Sequence, residues 1–429
     1  MPAGASNLGP AGPVFQSTVL PCGLTVLTER LPWLRSVTLG LAFRIGGRDD
    51  PAELAGCAHL VEHMVFKGTA ELDARTIAVE AENRGAELNA FTDKEMTVFH
   101  GRFPGELQVE VTDLLARIVA APAFDPAELA KEQGVVIEEI RSAEDDPGSK
   151  AFNLLTEACW PDTPMGWSIA GTPETVARAD SASLRRLYAS RYGCATGVAV
   201  ATGAVDHEAL CRVLEDRLGS GRAARLPARP AEPLAGPAIR VKDRPELSQV
   251  YACLALPAFS YPDPRRHALS VLNTALGGGV SSRLFQRLRE QEGLVYSVSS
   301  FTDLFEDSGL LGVFFVAERA RLERCLAVLG EELDRVRRDR FDAEEFERAR
   351  TMARSSVMIG LESPVGRMLR MARTHHLLGR VVPVEETLDA YARLEPGDVN
   401  RLAGELLTDG FRIGAVGPVA AEDFRSLAG

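Results

Sequence analysis

Two stretches of this 429-residue chain run in parallel: FDPAELAKEQGVVIEEI from Phe124 and FDAEEFERARTMARSSV from Phe341. Each opens with an Asp suited to cap a helix and a Glu three residues on, the pattern of a capping box. The correspondence extends both ways. SVTLGLAFRIGG leads into one helical segment and SQVYACLALPAF into another, and each half closes on a short apolar strand with Gly, VAVATGAV at 198–205 and IGAVGPV at 413–419. Between the halves lies GSGRAARLPARPAEPLAGP, rich in Gly, Pro and Arg and without periodicity, which reads as a linker. A chain this long exceeds one ordinary hydrophobic core. An internal duplication follows as the economical reading: a disordered N-terminus at 1–13, a first unit at 14–218, a linker at 219–237 and a homologous second unit at 238–429.

Within each unit the pattern is strand, strand, helix, hairpin, helices, strand. In the first, TVLPCGLTVLTERL and SVTLGLAFRIGG are β-rich, and the spacing predicts helices over 53–67 and 72–83. GAELNAFT and MTVFHGRF, separated by Asp93-Lys94-Glu95, form a predicted hairpin. Strands joined by hairpins and interleaved with helices predict an α+β fold, two α/β units each with a mixed, largely antiparallel sheet. No Gly-rich nucleotide fingerprint follows a strand, which argues against a doubly wound parallel sheet.

The net charge of -12, with no basic stripe to neutralise phosphates, argues against nucleic acid as a partner. No apolar run is long enough to cross a bilayer and the start has no signal-peptide pattern, so a cytoplasmic protein without membrane attachment is expected. The seven cysteines are scattered, odd in number and without a CxxC pair, which fits reduced thiols.

Chemistry concentrates in HLVEH, His59 to His63. On a helix His59 and His63 are i and i+4 and share a face, with Glu62 nearly on it. Two neutral imidazoles at this spacing suit Zn²⁺, and the carboxylate between them suits a general base, the inverted relative of HExxH. The bland alternative is a core helix, burying Leu60, Val61, Met64 and Val65, that happens to carry two His. A catalytic zinc needs a third ligand. LAKEQGVVIEEIRSAEDD offers Glu132 and Glu139, two turns apart on one face. An acidic residue on a helix is usually solvated, but Val135, Val136, Ile137 and Ile140 make the surroundings of Glu139 apolar, where a carboxylate needs a partner. His100, His207, His267, His375 and His376 match no ligand spacing, and Cys57 reads as a small buried residue.

HLVEH followed by Glu139 in VVIEEI resembles the pitrilysin and mitochondrial-processing-peptidase family of inverzincin metallopeptidases, and the likeness spans nearly the whole chain. It implies a zinc endopeptidase with His59, His63 and Glu139 as ligands, Glu62 as base and Glu132 supporting the site. In the duplication Glu139 falls opposite Ser356 and Glu132 opposite Ala349, so the second unit carries the fold without the metal. That unit holds GGGVSSRLFQRLREQEGLVYSVSSF, where Arg289 and Tyr296 match the family's Arg/Tyr pair, which in relatives holds substrate across a closed chamber. The resemblance further implies that a peptide adds as a β-strand beside Asn89, Ala90 and Phe91. It implies a homodimer, or a heterodimer with a homologous subunit, enclosing unfolded peptides or leader segments. Two rival readings are a non-catalytic scaffold subunit of the same family and an S-ribosylhomocysteine lyase, which also carries HxxEH but is a short single unit.

Overall fold

The computed structural model describes residues 12–219, 224–229 and 234–428. Most of the N-terminal segment expected to be disordered, and parts of the linker, lie outside the described residues.

Among the described residues there are eleven strands: β1 (Val14–Val19), β2 (Thr25–Arg30), β3 (Ser36–Phe43), β4 (Glu87–Thr92), β5 (Thr97–Pro104), β6 (Gly197–Gly203), β7 (Ala238–Asp243), β8 (Gln249–Ala258), β9 (Val295–Leu304), β10 (Gly309–Glu318) and β11 (Arg412–Gly417). They form two sheets, in the orders β1-β2-β6-β3-β5-β4 and β7-β11-β8-β10-β9. The last five strands of the first sheet and the five of the second have one topology. In each, the strand closing the unit pairs parallel with the one opening it, β6 with β2 and β11 with β7. All other pairings are antiparallel. The expected α+β architecture and its duplication are therefore present at the level of hydrogen-bond register.

The helices that position the site come early: α1 (Cys57–Val65), α2 (Ala74–Glu82), α3 (Gln108–Ala120), α4 (Pro126–Asp145) and α5 (Pro147–Cys159). They continue with α6 (Pro173–Arg178), α7 (Ser181–Arg191), α8 (His207–Leu218), α9 (Arg266–Gly277), α10 (Leu322–Asp339), α11 (Ala343–Gly360) and α12 (Pro364–Leu378). The paired FD motifs start α4 and α11 as expected. Asp125 Oδ1 accepts from the Ala127 and Glu128 amides, while Asp342 and Glu345 cap each other reciprocally. Helix α1 is shorter than the 53–67 expected, because its start is set by Gly56 in the left-handed region (φ 93). A Cβ there would meet the Ala170 carbonyl oxygen at 2.5 Å, so only Gly fits.

The compact units are not the two contiguous halves expected from the duplication. The described residues of one fall within 1–137, 169–228 and 360–381; those of the other fall within 138–168, 229–359 and 382–429. Each half lends a helix to the other's sheet. On the first sheet α12, from the second half, packs Met368, Met371 and Ala372 onto Leu27, Ala42, Val98, Val198 and Val200. On the second, α5, from the first half, packs Ala151, Leu155 and Cys159 onto Cys253, Ala255, Leu310 and Val416. Gly414 on β11 makes that approach feasible: a Cβ would lie 2.2 Å from the Leu155 amide nitrogen. A sheet face needs an apolar cover, and periodicity along a helix does not say which sheet it covers.

Candidate metal centre

Helix α1 buries Cys57, Ala58, Leu60, Val61, Met64 and Val65 and leaves His59, Glu62 and His63 on its half-buried face. The bland reading of a core helix is thus right for one side of α1 and says nothing of the other. The helix start is held by Asp50, whose carboxylate accepts from the Gly56 amide (2.8 Å), the Ala58 amide (3.1 Å) and the Cys57 thiol (3.0 Å). Burial outweighs these bonds and pushes the Asp50 carboxyl up to about 7. Burial first, and then the charge of Asp50, raise the Cys57 thiol well above its usual range. Cys57 is therefore an inert donor, as its sequence position suggested.

The same loop fixes β4. The Gly47 and Arg48 amides donate to the Asp93 and Lys94 carbonyls at 2.9 Å, and the buried Arg48 guanidinium pairs with Glu95 at 2.5 Å. At the hairpin tip Asp93 Oδ1 accepts from the Glu95 and Met96 amides. The loop 46–50 therefore links the start of α1 to the β4–β5 turn, a role the sequence reading missed. Its signal was GGRDD, two glycines for close approach followed by charged residues without an amphipathic period.

On α1 the rings of His59 and His63 lie 4.7 Å apart, edge to face. Burial, then the neighbouring His63, lowers the His59 imidazole to about 4, so it is neutral at ordinary pH with a lone pair to give. His63 Nδ1 lies 3.1 Å from Glu132 Oε2, and Glu132 Oε1 takes a 2.8 Å bond from Lys67. Burial tends to raise the Glu132 carboxyl, but the bonds from Lys67 and His63 prevail and it lies below its usual value. Glu139 follows Glu132 by two turns on the unbroken helix α4. Ligand atoms of His59, His63 and Glu139 all lie within 4.8 Å of one another. Tetrahedral zinc with bonds of 2.0–2.1 Å sets its ligands about 3.4 Å apart, so small rotamer changes would close this set on an ion. Two imidazole nitrogens and a carboxylate are the donor set zinc takes.

Glu139 does not lie in the apolar surroundings expected of it. The apolar neighbours of Glu139 do not bury it: Val136 and Ile140 face inward, whereas Glu139 is exposed and Val135 is 44 % exposed. The helix turns its apolar side away, so the carboxylate stands at the open side of the cluster. Glu132 is the buried one.

β4 is the free edge of the first sheet, and α1 lies against it. The Ala90 amide donates to Asn89 Oδ1 at 2.8 Å rather than to β5. Asn89 is exposed and Ala90 half-buried, while Phe91 packs its ring toward the cluster beneath α12, so only its backbone borders the edge. In the second unit, Arg289 lies in a π-helical turn, Phe285–Gln291, with its guanidinium 5.1 Å from the Phe285 ring centre. Tyr296, on the edge strand β9, is 73 % exposed. Two of the remaining histidines take structural parts: His207 lies between Thr18 (2.8 Å) and Thr28 (2.9 Å), and His267 packs against Tyr391.

Known proteins fit the same outline. The family described as "Insulinase (Peptidase family M16)" matches residues 25–173, and "Peptidase M16 inactive domain" matches residues 178–353. An uncharacterized zinc protease of Streptomyces coelicolor is 34% identical over 411 residues, covering 94% of this chain and 89% of that protein. An uncharacterized zinc protease of Bacillus subtilis is 32% identical over 396 residues, covering 92% and 96%. Among solved structures, a peptidase M16 inactive domain from Pseudomonas fluorescens superposes with a TM-score of 0.86 at 22% identity, over 95% of this chain and 98% of that one. A protease from Helicobacter pylori has the same fold, with a TM-score of 0.85 at 18% identity over 94% and 99%. Identity of 34% across nearly the full length, with both halves matched in order by the family's two domain descriptions, shows that the chain belongs to peptidase family M16.

Proposed function

We propose that this chain is a zinc endopeptidase that hydrolyses unfolded peptides or leader segments. The observation that carries the reading is the convergence of His59, His63 and Glu139, within 4.8 Å, on the face that also bears Glu62. Zinc held by these three side chains would supply the Lewis acidity that makes water a nucleophile at neutral pH. Glu62, one residue before His63 on α1, takes the proton of the attacking water and returns it to the leaving nitrogen. The β4 edge would bind the peptide backbone as an added strand, with Ala90 offering its amide once Asn89 swings away. Arg289 and Tyr296, both exposed on the second unit, would hold the substrate and the developing oxyanion.

A homodimer suits this division of labour, with Arg289 and Tyr296 of one protomer serving the metal centre of its partner inside a chamber that excludes folded proteins. Among the described residues no helix is long and apolar enough to cross a membrane, and five of the seven thiols are buried, which supports a cytoplasmic setting. The test is zinc content with peptide hydrolysis: one zinc per chain and cleavage by the wild type, zinc retained and cleavage lost in Glu62→Gln. A metal-free, inactive protein would replace this reading with the scaffold one. Forced mixed dimers of Glu62→Gln and Arg289→Ala chains test the shared site, which predicts partial recovery of activity.

A further inference from the structure

Lys67 has no part in the chemistry above, yet it touches the group that holds a ligand. It follows directly after Phe66, the residue closing α1, and its amide donates to the Met64 carbonyl at 3.1 Å. Its ammonium lies 2.8 Å from Glu132 Oε1, while the other oxygen of Glu132 faces His63 Nδ1 at 3.1 Å. The Glu132 side chain is 8 % exposed, so each of its oxygens requires a protein donor.

We propose that Lys67 is a positioning residue of the metal centre. It pins one oxygen of Glu132 so that the other is aimed at His63. A carboxylate held from one side can rotate about its last bond, whereas one held from both sides cannot. A fixed acceptor at Nδ1 keeps the imidazole proton there and leaves the Nε2 lone pair for the metal, in one ring orientation. The clamp also ties the end of α1 to α4, and so sets where Glu139, two turns further along α4, stands relative to the two His.

The inference rests on the zinc reading, and its test separates the two. Zinc affinity is measured on the full-length chain by competition with a chromophoric chelator, alongside the thermal midpoint of the metal-free protein. Lys67→Met should weaken zinc binding about 10–100-fold with little change in that midpoint, and Lys67→Arg should recover most of the loss. Because Lys67 acts through Glu132, adding Lys67→Met to Glu132→Gln should cost less than about twofold more. Wild-type affinity in Lys67→Met overturns the proposal. So does a loss in Lys67→Arg as large as in Lys67→Met, or a Lys67→Met loss that persists undiminished beside Glu132→Gln. Lys67→Gln replaces Lys67→Met if the latter does not fold. A wild-type chain that takes up no zinc refutes the metal reading itself.

Discussion

Cutting the chain in its linker after Ala228 should not release two folded units, despite the duplication. The fragment 1–228 keeps the first sheet but loses α12, which buries Met368 and Met371 at 0 and 5 % exposure. At about 2 kcal/mol for each buried Met side chain, the helix side loses about 4 kcal/mol. Leu27, Val98, Val198 and Val200 beneath it would become partly exposed, at about 1 kcal/mol each, for roughly 4 kcal/mol more. The Arg367–Glu29 pair at 2.7 Å and the bond from Thr202 to the Pro364 carbonyl go as well. A loss of about 8 kcal/mol compares with a total stability of about 5–15 kcal/mol for an ordinary domain. Expressed alone, 1–228 should bind a hydrophobic dye and melt without cooperativity. Co-expressed with 229–429, it should copurify and regain a cooperative transition, because each fragment carries a helix of the other's unit. A lone 1–228 that unfolds cooperatively with native-like stability would refute the helix exchange.

Three further outcomes follow from the site. Glu62→Gln should lower kcat by about 10²–10⁴ with zinc content unchanged, measured on a quenched-fluorescence peptide beside metal analysis. The metal-free protein should lose stability in acid through His59: between about pH 6.5 and 4 the unfolded chain binds a proton that the folded chain refuses, so stability falls as pH falls through that window, by roughly 3 kcal/mol. Urea titrations of wild type and His59→Gln check it, and equal pH slopes would exclude that origin. Gly56→Ala should destabilise by about 2–4 kcal/mol, from a left-handed φ and a Cβ driven against the Ala170 carbonyl. It should also weaken zinc binding, since α1 carries both His; thermal melts with and without zinc measure both effects.

Much was legible in the sequence because it is local. The i, i+4 spacing of His59 and His63, the two-turn spacing of Glu132 and Glu139, the capped starts of α4 and α11 and the hairpin around Asp93 are all set by backbone periods that apply before any packing. The duplication was legible as repeated pattern, and the shared strand order of the two sheets bears it out. Helix limits were less so: α1 begins at Cys57 because Gly56 and Asp50 stop it there, a tertiary constraint on a pattern that could have started earlier.

The sequence by itself determined the chemistry available on each helix face and the class of fold. Only the tertiary structure decided which sheet α5 and α12 cover, that Glu139 is exposed while Glu132 is buried, and that Lys67 shares Glu132 with His63. The physical reason is one of range. Periodicity records which residues of a segment face together, whereas burial and pairing depend on what another segment, distant in the chain, brings against that face.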